Sequence, residues 1–567
     1  MLHLVGGSLV LFQGGNNQSN LAAVCIAHKN MMMLVVIMSL AAFACKGLVQ
    51  ALPFPAPNFN NCNNYQGCCP APYKGTISEK LYVFDRKLPM RTRPAAHLLD
   101  DAYIAKYQRA YRLLRALPDS DPRSWKNQAK LHCAYCNAAF NFDVLTSSGR
   151  SSTMRFEVHY GWLFLPWHRF FLYFHERILA KLLGDDDTFA LPFWNWDNQS
   201  PDPPLANVIP LAFANPMYDN KVQSSLYDER RNRCTKWPNV IDLQDGLECA
   251  NQTLELKTTL RQWNNRLMYT QLVTAAPISR LFFGESYKLG STSGRGAGTL
   301  ETAPHGTVHV WTGNPNATIP FSDMGILQYA ALDPIFYAHH GNIDRLWEVW
   351  KSLPGGNRKD LSQADYLNTQ FLFYDENAAL VKVQISQALN INNFRYNYEG
   401  VPNSWIHEGS DAASAPCFPA STSEINEMIF NTPPLSTKNF TTFANSSITF
   451  RVQRPLEKEL HREEVLVIKS LKLEGPVGPA LKAFLYFPTA NPTTPITCIE
   501  FFGRTGGFGV VFGFDLPDSD MEWRLALGYK LQSLGMDQFS HVVVTLVQLG
   551  LPQIIQLKNA QIVYFDE

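Results

Sequence analysis

The chain carries no surplus of either charge: 49 Lys and Arg balance 49 Asp and Glu. A net charge of zero leaves no electrostatic footprint for nucleic acid or an anionic membrane, so neither is expected as a partner. Charge is scarce as well. Charged residues make up 17% and hydrophobic ones 46%, which excludes a disordered or tail-like chain. Only one apolar run, Met31–Ala44, is sustained, which excludes a polytopic membrane protein. Internal repeats are absent. Aromatic surface is plentiful, with 36 Phe, 22 Tyr and 12 Trp, and suits large cores and apolar pockets. At 567 residues the chain exceeds one compact core, so at least two domains are expected.

The run Met31–Ala44 is too short to span a bilayer comfortably and ends in small residues. Lys29 is the only Lys or Arg ahead of it. Residues 1–44 therefore read as a secretory signal cleaved near Ala44, with no stable membrane insertion afterwards. A plastid transit peptide would be richer in Ser and Arg. The expected destination is the secretory pathway, the vacuole or the exterior. Eleven cysteines fit an oxidising compartment. Setting aside Cys25 and Cys45 leaves an odd set, so one thiol must be free or otherwise engaged. Sequons at Asn198, Asn251, Asn316, Asn439 and Asn445 agree with a secreted glycoprotein.

A Pro- and Asn-rich arm, Leu52–Pro72, is followed by mostly helical patterns from Pro94 to Leu353. Helices are expected over Asp100–Leu117, Phe156–Leu183 and Asp333–Trp350. Residues 404–447, rich in Ser, Thr, Asn, Ala and Pro, read as an exposed linker. Beyond it come short β-branched or aromatic runs: Glu464–Ile468, Ala483–Phe487, Gly509–Phe514, Val542–Val547 and Gln561–Phe565. A helix is expected over Met521–Leu534. The fold class is thus a mainly α domain over 45–403, a linker, and a β-rich domain over 448–567.

Histidines concentrate in the helical part. His132 lies in Leu131-His-Cys-Ala-Tyr-Cys136, and His159 and His168 flank Tyr-Gly-Trp-Leu-Phe-Leu-Pro-Trp. His305 and His309 are four apart, one above the other on a helix face. Glu301 lies a further turn back, although Pro304 suggests that the helix begins near there. His159 and His168, nine apart, would point to opposite sides of one straight helix, and Pro166 is expected to end one helix and start the next. Asp333 is a good N-cap with Pro334 following it. The helix after it carries Phe336, His340 and Asp344 at successive four-residue steps, so Asp344 is expected to orient the His340 ring. A lone buried histidine is most often a satisfied core residue. Two sets of three amid Trp162, Phe164, Trp167 and Phe170 would be costly without a shared partner, and metal ligation accounts for all of them. Imidazole-only coordination suits copper or zinc, and spacing alone does not separate the two.

HCAYC, HYGWLFLPWHRF, ALPFWNWD, ETAPHGTVHVWTG and DPIFYAHHGNIDRLW resemble the two copper-binding regions of plant polyphenol oxidases, the catechol oxidase and tyrosinase family. Tyr396-Asn-Tyr398 and Arg454-Pro455 are similar to that family's later landmarks. The resemblance implies a four-helix bundle around a dicopper centre. His132, His159 and His168 would hold one copper, and His305, His309 and His340 the other, with His339 as a neighbour rather than a ligand. It implies a thioether from Cys136 to His159, which removes the odd cysteine. It also implies disulfides Cys62–Cys69 and Cys68–Cys133; Cys234–Cys249 and Cys417–Cys498 are guesses from what remains. Glu301 would hold a water near the second copper, and Phe336 would pack on the copper-bound rings. The implied activity is oxidation of small o-diphenols to o-quinones with dioxygen, with weaker monophenol hydroxylation, in a latent form covered by the C-terminal domain. A haemocyanin-like oxygen carrier and a zinc-stabilised secreted protein are the rivals.

Departures from the pattern are Gly306, where Asn often stands, Leu327, where a Phe often covers the second copper, and Lys482-Ala-Phe-Leu in place of Lys-Phe-Asp-Val. The leader also lacks the twin-arginine organisation of thylakoid-lumen members, which makes the lumen the alternative destination.

Overall fold

In the computed structural model, residues 52–566 are described, apart from 64–66, 146–150, 219–221, 245–251, 292–295, 436–440, 444–446, 470–471, 475–479, 506–521 and 550–553. The expected leader, Cys249, the run Gly509–Phe514 and the sequons at Asn251, Asn439 and Asn445 lie outside the described residues. Asn198 is buried, so its sequon offers no accessible acceptor, whereas Asn316 is exposed.

Helix α1 spans Asp101–Ala116, started by Asp100, whose side chain accepts from the Tyr103 amide. Its apolar stripe of Tyr107, Tyr111 and Leu114 faces the core. Helix α2, Trp125–Cys136, is capped by Ser124 and buried along most of its length. Helix α3, Phe164–Leu182, is buried from Phe164 through Ala180. It begins later than expected. Residues Ser151–Phe156 form a strand paired with Phe140–Leu145, and Pro166 sits in the first turn of α3, where its missing N–H breaks no helical bond. No helix ends at Pro166. Helices α4 (Leu254–Tyr269), α5 (Gly306–Thr312) and α6 (Ile335–Ser352) follow. The Asp333 carboxylate accepts from the Ile335 amide at 3.0 Å and caps α6. A short strand, Arg91–Arg93, pairs in parallel with Tyr396–Tyr398.

The segment expected to be an exposed linker contains ordered structure. Trp405 is buried and donates to Asp197 at 3.0 Å, and a capping box at Ser421 and Glu424 starts helix α7, Thr422–Asn431. Composition hides this, because a single large aromatic is enough to pin a polar segment.

The C-terminal part holds two larger antiparallel sheets beside a small one that orders Lys472–Glu474, Ile554–Leu557 and Thr441–Phe443. One has the strand order Ser447–Gln453, His541–Leu549, Ala480–Leu485, Phe501–Thr505. The other places Glu463–Lys469 between Trp523–Ala526 and Asn559–Phe565. The expected helix from Met521 is therefore half wrong: Trp523–Ala526 is a strand, and only Gly528–Ser533 is helical. Pairing with Val465–Ile468 overrode local preference there. This region has its own core around Phe450, Leu466, Phe502 and Leu546, yet Phe484, Phe487, Phe501 and Val547 pack into the helical core. Disulfides join Cys62 to Cys69, Cys68 to Cys133, and Cys417 to Cys498.

Candidate metal centre

The sequence delivers the first set of side chains from three places. His132 rides on α2, whose neighbouring Cys133 is stapled to the N-terminal arm. His159 lies in the turn before α3, and His168 one turn into α3. Ligand atoms of His132, His159, His168 and Cys136 all lie within 4.8 Å of one another. The second set, His305, His309, His339 and His340, is equally close. Its helix is broken at Ala303, which is extended (φ −157°, ψ 133°), so His305 starts the α5 helix rather than continuing one from Glu301. The sets face each other: the His168 and His340 rings stack with centroids 4.2 Å apart. Phe336 touches both, 4.7 Å from His132 and 4.3 Å from His340, as expected of a ring packed on ligands. Phe164, given no site role from the sequence, does the same opposite, 4.7 Å from His168 and 4.6 Å from His305.

Hydrogen bonds assign the ring nitrogens. Nδ1 of His132 donates to the Leu327 carbonyl (3.1 Å), of His168 to Phe164 (2.8 Å), of His305 to Glu301 (3.1 Å), and of His309 to Met324 (2.6 Å). His159 Nδ1 donates to the Glu157 carboxylate at 3.2 Å. A neutral imidazole that donates through Nδ1 presents its lone pair at Nε2, the nitrogen a metal takes. Burial holds His132, His168, His305 and His340 well below the ordinary histidine range and takes His309 down to about 3, so these rings are neutral. Nε2 of His132 and His168 is buried with no hydrogen-bond partner among the described residues. Each such nitrogen costs roughly 1–3 kcal/mol unless something binds it. Nε2 of His309 and of His340 approach to 3.3 Å. A donor set of neutral imidazoles converging by Nε2 fits copper.

The adjacent pair His339 and His340 is separated by the same logic. Trp196 Nε1 donates to His339 Nδ1 at 3.1 Å, so the proton of that neutral ring sits on Nε2. His339 is thus engaged by Trp196 through Nδ1, whereas His340 turns Nε2 to within 3.3 Å of His309 Nε2.

Asp344 does not orient His340. Its carboxylate accepts from Arg169 at 2.5 Å, Arg93 at 3.4 Å, Tyr396 at 2.5 Å, and Tyr398. His340 Nδ1 has no partner among the described residues. The four-residue step put Asp344 on the right helix face, but cationic neighbours that are remote in sequence claimed it. Burial opposes ionisation of Asp344, yet Arg169 and Arg93 hold it below the ordinary carboxylate range.

Glu301 is the opposite case. Burial drives its carboxyl well above the ordinary range, against hydrogen bonds from the Tyr160 and Gly161 amides. Oε1 accepts from Tyr160 at 2.5 Å, and Oε2 has no partner among the described residues. Gly306 is buried at the start of α5. Leu327 is buried, and its visible role is its backbone carbonyl at His132. Cys136 is buried and in no disulfide, and burial pushes its thiol well up. Arg504 of the C-terminal sheet donates to Thr307, between His305 and His309, at 2.8 Å. Sequence reasoning missed Glu157, Trp196 and Met324; only Glu157, two residues from His159, carried a local signal.

Comparison with known proteins agrees along the chain. The family model of the common central domain of tyrosinase matches residues 122–353, the polyphenol oxidase middle domain 360–410, and the chloroplastic polyphenol oxidase C-terminal domain 440–564. A chloroplastic polyphenol oxidase of Vitis vinifera is 41% identical over 530 residues, 89% of this chain and 81% of its own. Chloroplastic catechol oxidase B of Solanum tuberosum is 34% identical, over 88% of this chain and 82% of its own. The solved structure of latent apple tyrosinase aligns with a TM-score of 0.72 at 33% identity, covering 86% of this chain and all of its own. No helix among the described residues is long and apolar enough to cross a membrane.

Proposed function

The chain belongs to the plant polyphenol oxidases of the tyrosinase family, and from that premise we propose that it oxidises o-diphenols to o-quinones with dioxygen at two copper ions. The observation that carries this reading is the pair of facing imidazole sets whose Nδ1 atoms are tied back to acceptors, leaving Nε2 to converge. His132, His159 and His168 would hold one copper, and His305, His309 and His340 the other. Bound there, the coppers supply the two-electron exchange between catechol and dioxygen.

The remaining work falls to the chain. Phe336 and Phe164 wall the centre with apolar surface and limit water. Glu301, buried and with one oxygen unbonded, is suited to take up and return the phenolic proton. The proximity of Cys136 to His159, with ligand atoms within 4.8 Å, supports a thioether that would lock that ring. Latency finds support in the Arg504–Thr307 contact, by which the C-terminal sheet grips the helix carrying His305 and His309. Cleavage within 404–447 would remove that cover. The chloroplastic naming of the relatives supports a plastid rather than a secretory destination, and a fluorescent fusion of residues 1–60 should enter plastids.

The deciding experiment is metal analysis with catechol turnover. The wild type should bind two coppers per chain, and His309→Ala or His340→Ala should lose the second together with activity. Retention of both coppers and full turnover would overturn the assignment. Binding of dioxygen without diphenol turnover, before and after removal of the C-terminal region, would favour the oxygen-carrier reading.

A further inference from the structure

One backbone segment orients an imidazole in each set. The Met324 carbonyl accepts from His309, and the Leu327 carbonyl, three residues on, accepts from His132. Residues 321–328 thus form a strap across both sets. Close packing fixes its course. A Cβ at Gly325 would meet the Phe321 Cβ at 2.7 Å, and one at Gly313, which ends α5, would meet the Phe321 carbonyl at 2.1 Å. The strap therefore lies directly against the end of the helix that carries His309.

Its charged side chain is anchored as well. Asp323, 3% exposed, pairs with Arg230 at 2.5 Å, and the same guanidinium reaches Asp228 at 3.6 Å. Burial, with Asp228 alongside, pushes the Asp323 carboxyl up to about 8, against the pull of Arg230. Arg230 thus spans two acids that would otherwise repel each other. The next residue, Arg231, binds both oxygens of Asp333 at 2.7 Å, and Asp333 caps the α6 helix that carries Phe336 and His340. One residue further, the Asn232 amide donates to the Thr312 carbonyl at the end of α5, at 2.8 Å. Residues 228–232 therefore grip the strap, α5 and α6 together.

We infer that the strap 321–328, held by Asp323 and Arg230, is a positioning device that sets one metal site against the other. Among the described residues, neither Asp323 nor Arg230 forms a hydrogen bond or ion pair with an imidazole of either set; they act through the Met324 and Leu327 carbonyls. This rests on the dicopper reading.

The test uses the copper-loaded full chain and reads copper per chain, the electron paramagnetic resonance of the resting oxidised protein, and the thermal midpoint. Two copper(II) ions in register couple and are silent, so the wild type should hold two and give almost no signal. Asp323→Asn and Arg230→Gln should raise the visible share of bound copper roughly tenfold, through loss of the ion pair that anchors the strap. Arg230→Lys, which keeps the charge at a half-exposed position, should stay silent. A wild type lacking two coppers would remove the dicopper reading itself. A silent, fully loaded Asp323→Asn and Arg230→Gln beside a normal wild type would overturn the strap alone. Copper lost only in proportion to unfolded chain would also overturn it, reducing both residues to a structural role.

Discussion

Glu301 and Asp344 are both buried in the helical core, 5% and 3% exposed, yet their surroundings drive them in opposite directions. Around Asp344 stand Arg93, Arg169, Tyr396 and Tyr398, all donors, and the carboxylate stays ionised. Around Glu301 stand backbone amides and another acid, Glu157, and the carboxyl is pushed towards its neutral form. Burial is common to both. Whether a buried acid stays an anion or is driven towards its neutral form is decided by the charge it meets, and the two regions divide along that line: one meets arginines, the other backbone amides beside His159.

The comparison can be broken most sharply at Asp344. Asp344→Asn leaves Arg169 and Arg93 without their shared anion and should cost about 3–5 kcal/mol of stability by denaturant unfolding. The loss has a pH signature. A carboxyl held below its unfolded value stabilises above that value and loses the contribution as pH falls through the folded one. The gap between wild type and Asp344→Asn should therefore be full at neutral pH and narrow below about pH 4, the ordinary Asp value. A gap that stays constant down to acid would place the effect elsewhere.

Glu301→Gln should do the reverse. It exchanges one neutral form for another of the same shape, so stability should shift by less than about 1 kcal/mol, while diphenol turnover should fall about a hundredfold through loss of the proton carrier. Equal losses of stability in the two variants would dissolve the distinction. The smallest effect concerns Gly306. Gly306→Asn gives the Glu301 side of the site a second polar group and should raise the monophenol-to-diphenol rate ratio roughly tenfold, the worth of one oriented hydrogen bond. A wild type that already hydroxylates monophenols as fast as it oxidises catechols would refute this reading of position 306.

Legibility differed between the same two regions. His305 and His309 were readable because a four-residue step is a local fact about helices: His305 caps the helix α5 that carries His309. Asp344 was placed on the correct face by the same rule but given the wrong partner. Its real partners, Arg93 and Tyr396, come from a parallel strand pair whose members are separated by three hundred residues of chain. Trp405 was unreadable for a similar reason: its anchor, Asp197, is far away in sequence.

The sequence by itself determined the two imidazole sets, the mainly α part, the β-rich part that follows it, and the cysteines available for pairing, because residue type and short-range spacing carry those. Tertiary structure alone decided which acceptor holds each ring nitrogen, and that Trp196 engages His339 while His340 approaches His309. It also decided that a single strap serves both sets and that Asp344 belongs to the arginines. The physical reason is the same each time: a tautomer, a carbonyl acceptor and a buried ion pair are properties of neighbours in space, and hydrogen bonds reach only about 3 Å whatever the separation along the chain.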